Sequence, residues 1–477
     1  MAQEFVWPLA LAYALPIPGN RFHGQETIRR WAIAGMHFAA RTAHRDGSCD
    51  DYFPFERAVG ASAFSLLGAL ESARLLGHRD DVLDRFFRRR AAWLAQHREA
   101  GRLANHEALT ALCLRRASTW LDDRRLSAAS DRRLERLLSW QDPEGWFQEY
   151  DGADLGYQTL TIWALAEMHR EAPRPATAHA LEAAVGFAAA FIHPDGSWGG
   201  EYGSRNTYAF YPAGFEIAGA WLPEALTVND RVIAGMAAGR DAVDDEDHLL
   251  AHRCWNLLLA WQEWRAPRPV AHPVLPGRRH FPNAGLLVDR RAGNTLIVAL
   301  AKGGSFRHFG PNGRVTPDTG PSILMKDGRN AVAHLHGRYE TEVHDDRIVV
   351  SGEMHWAKHG RMTVARSLVL RCFMILAGRF FPNLVRALLQ RLLITGGRPA
   401  GFAFRREFAW TGSGWTIKDR ISGRNWQDVR SVLIGTAETS IYVAMSRTFQ
   451  DAQLHAPEDL TGRLAHVRST LEAERRL

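Results

Sequence analysis

Asp195-Gly196-Ser197-Trp198-Gly199-Gly200-Glu201-Tyr202 is one copy of a short motif that recurs in the first half of the chain. Glu144-Gly145-Trp146-Phe147-Gln148-Glu149-Tyr150 and Asp46-Gly47-Ser48-Cys49-Asp50-Asp51-Tyr52 are two further copies. Each copy contains an acid and a glycine, then an acid followed directly by tyrosine. The second and third copies start about 50 residues apart, and the first and second about twice that. Such a period is typical of stacked helical hairpins, which bring their turns to one end.

The spacing predicts a further copy between the first two. The segment at that place has Asn-His where the other copies have acid-tyrosine, and it reads Glu99-Ala100-Gly101-Arg102-Leu103-Ala104-Asn105-His106-Glu107. A fifth turn is predicted near 244–248. Five or so hairpins over roughly 250 residues predict an incomplete α/α toroid. Acid-glycine turns are also common helix punctuation, but a turn does not need the trailing acid-tyrosine pair.

The apolar period changes after about residue 265. Before it, apolar residues recur at helical spacing, as in 58–76, 107–121, 155–168 and 178–191. The closely spaced prolines of 265–273 predict a linker, because proline excludes helix. Beyond it, period-two segments predict short strands separated by turns, which favours an antiparallel β-sandwich. These segments are 284–289, 294–301, 331–335, 347–354, 362–370, 402–410 and 415–421.

The predicted fold is therefore multidomain, with α and β parts. An incomplete α/α toroid over 1–265 carries the catalytic residues, and an antiparallel β-sandwich follows over 275–460. A basic apolar helical insertion is predicted within the sandwich at 370–394. This segment has no acid, four arginines (Arg371, Arg379, Arg386 and Arg391), and Pro382 as a helix start. It suits either a membrane interface or packing on a neighbouring domain.

The composition indicates which classes of partner this chain is predicted to bind. The chain has 477 residues, a net charge of +7 and a pI of about 9.5, which favours an anionic partner such as an acidic glycan or a membrane surface. No nucleic-acid-binding motif is present, so nucleic acid is not predicted. The four cysteines have no metal-ligand spacing, and neither a metal nor a cofactor is predicted. The apolar patch at 6–15 lacks a basic leader, which predicts a cytoplasmic protein, peripheral on the inner membrane through 370–394, with a periplasmic alternative.

Three residues stand at equivalent places in the repeat. Asn105 and His106 open one predicted helix, and Tyr157 opens another about 50 residues later. Equivalent ends of neighbouring hairpins meet at one end of a toroid, so these side chains are predicted to face one ligand. Arg205-Asn206-Thr207-Tyr208, after the third motif, would add a guanidinium that can bind a uronate or phosphate.

This arrangement resembles the heparinase-like polysaccharide lyases, which combine an α/α toroid with an antiparallel β-sandwich. That family has an Asn-His pair at the head of a helix and, one repeat later, an acid-Gly-aromatic turn ending in Tyr-His. Asn105-His106 matches the first place, and Glu144-Gly145-Trp146-Phe147, running on to Tyr157, matches the second. The resemblance implies β-elimination on an acidic, uronate-containing glycan, free or lipid-linked, in bacterial surface polysaccharide metabolism.

The chemistry explains the residue types. β-Elimination removes the proton α to a uronate carboxylate, and donors such as Asn, His or Arg make that proton more acidic by neutralising the carboxylate. A tyrosine or histidine then moves the proton. A tyrosine with a pKa of about 10 needs cationic neighbours to act as a base, and His106 and Arg205 are the candidates. The predicted catalytic residues are Asn105, His106, Tyr157 and Arg205. The predicted substrate-binding residues are Tyr52, Glu149, Tyr150, Asp154, Trp198, Glu201, Tyr202, Asn206, Tyr208, His308 and His336.

Two departures from the family pattern keep alternatives open. Tyr-His is Tyr157-Gln158 here, and the His-x-His-x-Asp cluster of the β-domain is reduced to His308 and to His334-Leu335-His336. A non-catalytic glycan-binding protein on a lyase scaffold is therefore one alternative. A terpene cyclase-like α/α barrel is another, because Asp195-Gly196-Ser197-Trp198-Gly199 is similar to the turn motif of those enzymes. A cyclase needs a closed aromatic cavity, whereas a lyase needs an open polar cleft.

Overall fold

The computed structural model describes residues 3–242, 247–268, 274, 276–357, 363–393, 397–436, 450 and 456–477. Its N-terminal part is helical. The fifth predicted turn, near 244–248, lies largely outside the described residues. The helices are α1 Val6–Ala14, α2 Glu26–Thr42, α3 Val59–Leu75, α4 Asp81–Gln96, α5 Ala104–Leu121, α6 Arg124–Leu138, α7 Leu155–Glu171, α8 Pro175–Ala189, α9 Ala213–Ala218, α10 Pro223–Ala237 and α11 Asp247–Glu263.

These helices form two concentric layers. The odd-numbered helices contact one another in sequence, and α11 contacts α1, so they close an inner ring. The even-numbered helices form an outer layer, in which α2, α4, α6, α8 and α10 contact one another in turn. Among the described helices, α11 has no outer partner after it. The fold is therefore an incomplete α/α toroid, as predicted.

Aromatic side chains fill the middle of the inner ring. Trp7 of α1 stacks on Trp255 of α11 with ring centroids 4.6 Å apart, and Trp163 of α7 lies 4.6 Å from Trp255. All three rings are buried. Inner helices are apolar nearly all round because they pack on the outer layer on one side and on these rings on the other.

The repeated turns share one end of the toroid. They lie in the connections that lead from an outer helix to the next inner helix, at 43–58, 97–103, 139–154 and 190–212, and this end is called the rim below. Their glycines have positive φ angles: Gly47 +93°, Gly101 +92°, Gly145 +98° and Gly196 +77°. A Cβ on Gly145 would lie 2.2 Å from the carbonyl oxygen of Ala183 in α8. The glycine repeat is thus required by backbone conformation and by contact with the next outer helix.

We expect Gly145→Ala to destabilise the protein by at least about 1–2 kcal/mol, because an L-residue is strained at this φ and the Cβ has no room. Denaturant unfolding measures the change. Gly186→Ala is the matched control, since nothing lies within 4 Å of a Cβ at Gly186 in α8. That helical substitution should be neutral or stabilising. Equal stability of the two variants would contradict the packing role.

The C-terminal part consists of two antiparallel sheets. One sheet has the order β1-β2-β3-β4-β5, and the other has the order β13-β12-β6-β7-β9-β10-β11-β14, with β8 paired to β9. The strands are β1 Gly277–Phe281, β2 Leu286–Arg291, β3 Asn294–Ala299, β4 Ser305–Phe309, β5 Val315–Asp318, β6 Ser322–Met325, β7 Asn330–Val332, β8 Glu340–His344, β9 Arg347–Trp356, β10 Pro399–Trp410, β11 Trp415–Gly423, β12 Val429–Ile434, β13 Glu458–Asp459 and β14 Thr470–Arg476.

The β1–β5 sheet is buried on both faces. Along β3, Leu296 and Val298 join the core between the two sheets, whereas Ile297 and Ala299 join the core of the toroid. Alternate side chains point to opposite faces of a strand, so one sheet packs both against its partner sheet and against the helices. The two parts of the chain therefore share an apolar interface next to the rim.

Three sequence predictions need correction here. The segment 362–370, predicted as a strand, falls on helix α12 (Val364–Leu376), which Thr363 caps by accepting a hydrogen bond from the Arg366 backbone amide. The insertion therefore begins before residue 370, and it continues as α13 (Pro382–Leu393). The sheet also extends past residue 460, because β14 (Thr470–Arg476) pairs with β11.

Between the two parts of the chain, the last helix of the toroid ends at Glu263 and the first strand of the sandwich starts at Gly277.

Candidate active site

Backbone hydrogen bonds join the head of α5 to the turn before α7. The amide of Ala104 donates to the carbonyl of Gln148 (3.2 Å), and the amide of Tyr150 donates to the carbonyl of Arg102 (2.8 Å). The Asn105 amide lies 3.4 Å from Glu149 Oε2, which accepts from it. This connection places the Asn105-His106 pair of one hairpin beside the acid-tyrosine pair of the next.

His106 is held by a carboxylate and by a glycine. Its Nδ1 lies 3.1 Å from Glu99 Oε1, and the amide of Gly60 donates to the same oxygen (3.0 Å). A Cβ on Gly60 would lie 2.4 Å from His106 Cε1, so the imidazole rests on the first turn of α3. A carboxylate that accepts from Nδ1–H fixes the tautomer in which Nε2 carries the lone pair.

Glu149 and Asn105 are buried polar groups with unused hydrogen-bonding capacity. Both atoms of the Asn105 side-chain amide, and Oε1 of Glu149, are buried without a hydrogen-bond partner among the described residues. Burial raises the pKa of Glu149 to about 7, and the nearby His106, the side chain of Asn105 and the Asn105 backbone amide oppose that shift. The Asn105 side chain is thus close to Glu149, although their separation or angle falls outside ordinary hydrogen-bond geometry. Unpaired buried polar atoms of this kind require an explanation, and a polar ligand supplies one.

Tyr157 stands on the first turn of α7. Asp154 caps this helix, with Oδ1 accepting from the amides of Gly156 (3.2 Å) and Tyr157 (3.3 Å). Burial, followed by the neighbouring Tyr150 and Glu149, raises the pKa of Tyr157 well above its ordinary value. The phenol is therefore protonated at neutral pH, which suits a proton donor.

Arg205 does not act as the predicted cationic neighbour of Tyr157. Its guanidinium is buried and lies over the ring of Tyr150, 4.2 Å from the centroid. Its Nη2 lies 3.4 Å from Asp151 Oδ2, and its backbone amide donates to Asp154 Oδ2 (2.9 Å). Arg205 thus lies one layer behind Tyr150 and contributes positive charge to the rim.

The sandwich contributes His336 to the rim. A Cβ on Gly152 would lie 2.3 Å from His336 Nε2, so the imidazole packs directly on the turn that carries Glu149 and Tyr150. Burial, with the positive charges of Arg205 and Lys302, lowers the pKa of His336 to about 4. His336 is therefore neutral at physiological pH.

Lys302 is a rim residue that sequence reasoning missed. Its Nζ is buried and donates to the carbonyls of Glu201 (2.9 Å) and Gly203 (2.6 Å), and to Asn206 Oδ1. Burial lowers the pKa of Lys302 to about 7. The lysine anchors the loop that carries Arg205, and no motif or spacing in the sequence marks it.

Five residues predicted to bind substrate lie instead in the buried interface between toroid and sandwich. Glu201 pairs with Arg307 of β4 through two hydrogen bonds of 2.9 and 3.1 Å, and both side chains are fully buried. The other contacts are Tyr208 Oη to Glu201 Oε1 (2.9 Å), Tyr202 Oη to His193 Nε2 (2.8 Å), Trp198 Nε1 to the Leu155 carbonyl (3.3 Å), and Asn206 to Lys302. Of these contacts, Glu201–Arg307 and Asn206–Lys302 join the toroid to the sandwich, and the other three lie within the toroid.

Two further residues are engaged by structural partners. His308 lies on the face of β4 opposite Arg307 and its Nε2 is 3.0 Å from Asn294 Oδ1, so the predicted substrate contact is wrong for this conformation. Gln158 is fully engaged with the turn: its Nε2 donates to the Gly145 carbonyl (3.1 Å), and its Oε1 accepts from the Phe147 amide (3.0 Å). At the place where the family pattern has histidine, this chain has Gln158, whose side-chain amide stabilises the turn.

The residues that the structure brings together at the rim come from four connections and two domains. Tyr52 is exposed over 57% of its surface and is close enough to Tyr157 to affect its pKa, so it marks the solvent side of the group. The set comprises Tyr52, Asn105, His106, Glu149, Tyr150, Asp154, Tyr157, Arg205 and His336.

Comparisons with known proteins agree with this architecture. No family model and no curated protein matches the chain. Among solved structures, it is similar to chondroitin AC lyase of Streptomyces coelicolor A3 in complex with chondroitin sulphate, at 11% identity and a TM-score of 0.55, over 91% of this chain and 62% of that one. It is equally similar to a Paenibacillus xanthan lyase, at 11% identity and a TM-score of 0.55, over 91% of this chain and 42% of that one. The chain thus spans less than two thirds of either lyase. It has the α/α toroid plus antiparallel β-sandwich fold of the polysaccharide lyases, the fold predicted from its resemblance to the heparinase-like family.

Proposed function

We propose that this protein is a polysaccharide lyase that acts on an acidic, uronate-containing glycan by β-elimination. The observation that carries the proposal is the group formed by Asn105, His106, Glu149 and Tyr157 at the rim. An imidazole held by a carboxylate and a protonated phenol stand there beside buried amide and carboxyl atoms without partners. The likeness of the fold to two lyases of acidic polysaccharides supports the same reaction class.

In the proposed reaction, His106 Nε2 takes the C5 proton of the uronate. The electron pair of that bond forms the C4–C5 double bond as the C4–O bond breaks, and the Tyr157 hydroxyl gives its proton to the leaving oxygen. His106 then loses its proton and Tyr157 regains one through solvent, so the enzyme returns to its starting state. The acid role goes to Tyr157 because its phenol carries its proton at neutral pH. The base role goes to His106, whose Nδ1 is held by Glu99.

The uronate carboxylate is neutralised by Asn105 and Glu149. The Asn105 amide can donate to it, and Glu149, whose pKa is about 7, is partly protonated at neutral pH and can donate as well. Donors placed where negative charge builds up stabilise the transition state more than the ground state. Arg205 adds positive charge from behind Tyr150.

The first experiment is an incubation with a panel of acidic polysaccharides, read at the ultraviolet absorbance of the unsaturated uronate product. We expect absorbance to rise with at least one uronate polymer and with no neutral glucan. A glycan-binding protein without activity is the second candidate, favoured by the engagement of Gln158 with the turn. Binding of a uronate polymer without any absorbance change would support that candidate instead. The packed tryptophans in the middle of the toroid argue against a closed cyclase cavity.

We further propose that α12 and α13 contact an anionic membrane surface, which would bring a lipid-linked glycan to the rim of a cytoplasmic protein. The sequence 364–393 has five arginines and no acid. None of the described helices has the length and apolarity to cross a bilayer. The exposed apolar side chains of this insertion are Val364, Leu368, Val369, Phe373, Ile375, Leu376, Phe380, Phe381, Leu384 and Leu388. An apolar face flanked by arginines suits an interface.

The insertion lies beside the rim. Arg379 Cζ is 5.9 Å from the ring centroid of Phe55, in the rim connection that also carries Tyr52. A membrane bound by the insertion would therefore lie close to the opening of the candidate site.

We expect the triple variant Arg379→Glu, Arg386→Glu, Arg391→Glu to lose binding to phosphatidylserine-containing vesicles, because its charge there becomes repulsive. Co-sedimentation measures this, with pure phosphatidylcholine vesicles as the comparison. The control carries the same charge change on the exposed residues Arg88, Arg124 and Arg125 and should still sediment. Equal binding by both variants would rule out the insertion as the contact.

A further inference from the structure

We propose that His37, His78 and Asp80 form a zinc-binding site that ties α2 to the connection between α3 and α4. His37 Nε2 lies 3.1 Å from Asp80 Oδ2, and His78 Nε2 lies 3.0 Å from the same oxygen. The three possible ligand atoms all lie within 4.8 Å of one another. Two imidazoles thus converge on one carboxylate oxygen.

The spacing of these atoms suits a tetrahedral ion. Zinc bonds of about 2.0–2.2 Å to nitrogen and oxygen place neighbouring ligand atoms roughly 3.3 Å apart. The observed nitrogen–oxygen separations of 3.0 and 3.1 Å need only a small adjustment. Two imidazoles and a carboxylate favour zinc over calcium or magnesium, which prefer oxygen ligands alone.

The backbone holds two of the three ligands in place. Asp80 caps α4, with Oδ1 accepting from the amides of Val82 (2.9 Å) and Leu83 (3.0 Å), so that Oδ2 faces the imidazoles. Gly77, with φ +57°, ends α3, and the amide of His78 donates to the Ala73 carbonyl (3.0 Å). This is the hydrogen-bonding pattern of a helix C-terminal cap, and it fixes the position of His78.

The site is open enough to exchange an ion. The three side chains keep between 24% and 30% of their surface exposed, which leaves room for water as a fourth ligand. The α3–α4 connection runs from an inner to an outer helix, so it lies at the end of the hairpin away from the rim. The zinc would stabilise the outer layer and take no part in the proposed catalysis.

Zinc titration of the metal-stripped, untagged full chain tests the proposal, with cobalt as a spectroscopic probe of tetrahedral coordination. We expect one zinc ion per chain and a higher melting temperature when it is bound. His37→Ala and His78→Ala should each weaken zinc binding by at least about tenfold, since even outer partners of metal ligands contribute that much. Asp80→Asn should weaken zinc binding while keeping the helix cap, because asparagine caps as well as aspartate.

His44→Ala is the matched control. His44 pairs with Asp50 at 2.8 Å, as His78 does with Asp80, but among the described residues no second imidazole completes a metal-binding group with this pair. The control should bind zinc like the unmodified chain. No bound zinc in the folded chain, or equal affinity of the His37→Ala and His44→Ala variants, would overturn the proposal.

Discussion

Tyr157→Phe is expected to lower turnover by about 10²–10⁴-fold and to leave glycan binding nearly unchanged, because general acid catalysis typically contributes that factor. The substitution removes only the hydroxyl that would protonate the leaving oxygen. The ring stays on the first turn of α7, where the Asp154 cap does not depend on it. Initial rates from ultraviolet absorbance give the turnover, and calorimetry with the same glycan gives the affinity.

Tyr52→Phe is the matched control for this experiment. It removes a hydroxyl at the same opening, from a side chain that is more than half exposed. We expect it to change the Michaelis constant more than turnover, because a residue at the opening contacts the bound glycan and not the breaking bond. Wild-type turnover by Tyr157→Phe would remove Tyr157 from proton transfer and leave His106 as the acid as well as the base.

Glu201→Ala is expected to lower the free energy of unfolding by about 3–5 kcal/mol, because it leaves the Arg307 guanidinium buried without its counter-ion. Both side chains are fully buried, and Tyr208 loses its hydrogen-bond acceptor at the same time. Denaturant unfolding of the full chain measures the loss.

Two comparisons identify the cause of that loss. Glu472→Ala breaks the exposed pairs with Lys418 (3.2 Å) and Arg420 (3.4 Å) and should cost no more than about 1 kcal/mol. The double variant Glu201→Met, Arg307→Met should recover part of the stability, since apolar residues replace both charges. A Glu201→Ala loss as small as that of the exposed pair would show that this interface is not held by the ion pair.

The sequence repeat correctly predicted which hairpin ends lie next to one another. It did not predict which other parts of the chain pack against each turn. Asn105 and His106 adjoin Glu149, which adjoins Tyr157. These residues come from equivalent places in neighbouring units, and a sequence period reports such equivalence directly. The third motif has the same register, but β4 covers it, so Glu201 binds Arg307. Nothing in a repeat indicates which part of the chain will pack against a given copy.

Contacts from the β part were the least predictable. Lys302 reaches the rim from 97 positions further along the chain than Arg205, and no periodic pattern marks it. His336, 131 positions beyond Arg205, was predicted only through the resemblance to the β-domain histidine cluster of the lyases. The strand prediction for 362–370 failed because a short apolar run does not by itself distinguish a strand from a helix. Thr363 caps this segment as a helix by accepting from the Arg366 amide. The glycines of the turns, by contrast, were found from the sequence, although their contact with the next outer helix required the structure.

The most direct test of the central claim is the mass of the products released from a uronate polymer in ¹⁸O-labelled water. β-Elimination adds no water, so we expect each new non-reducing end to be an unsaturated uronate. Neither product should carry ¹⁸O when the products are analysed before the new reducing end exchanges its oxygen with the solvent. The Tyr157→Phe variant should release the same products much more slowly. Saturated products that carry ¹⁸O at the new reducing end would mean hydrolysis, and they would contradict the lyase account.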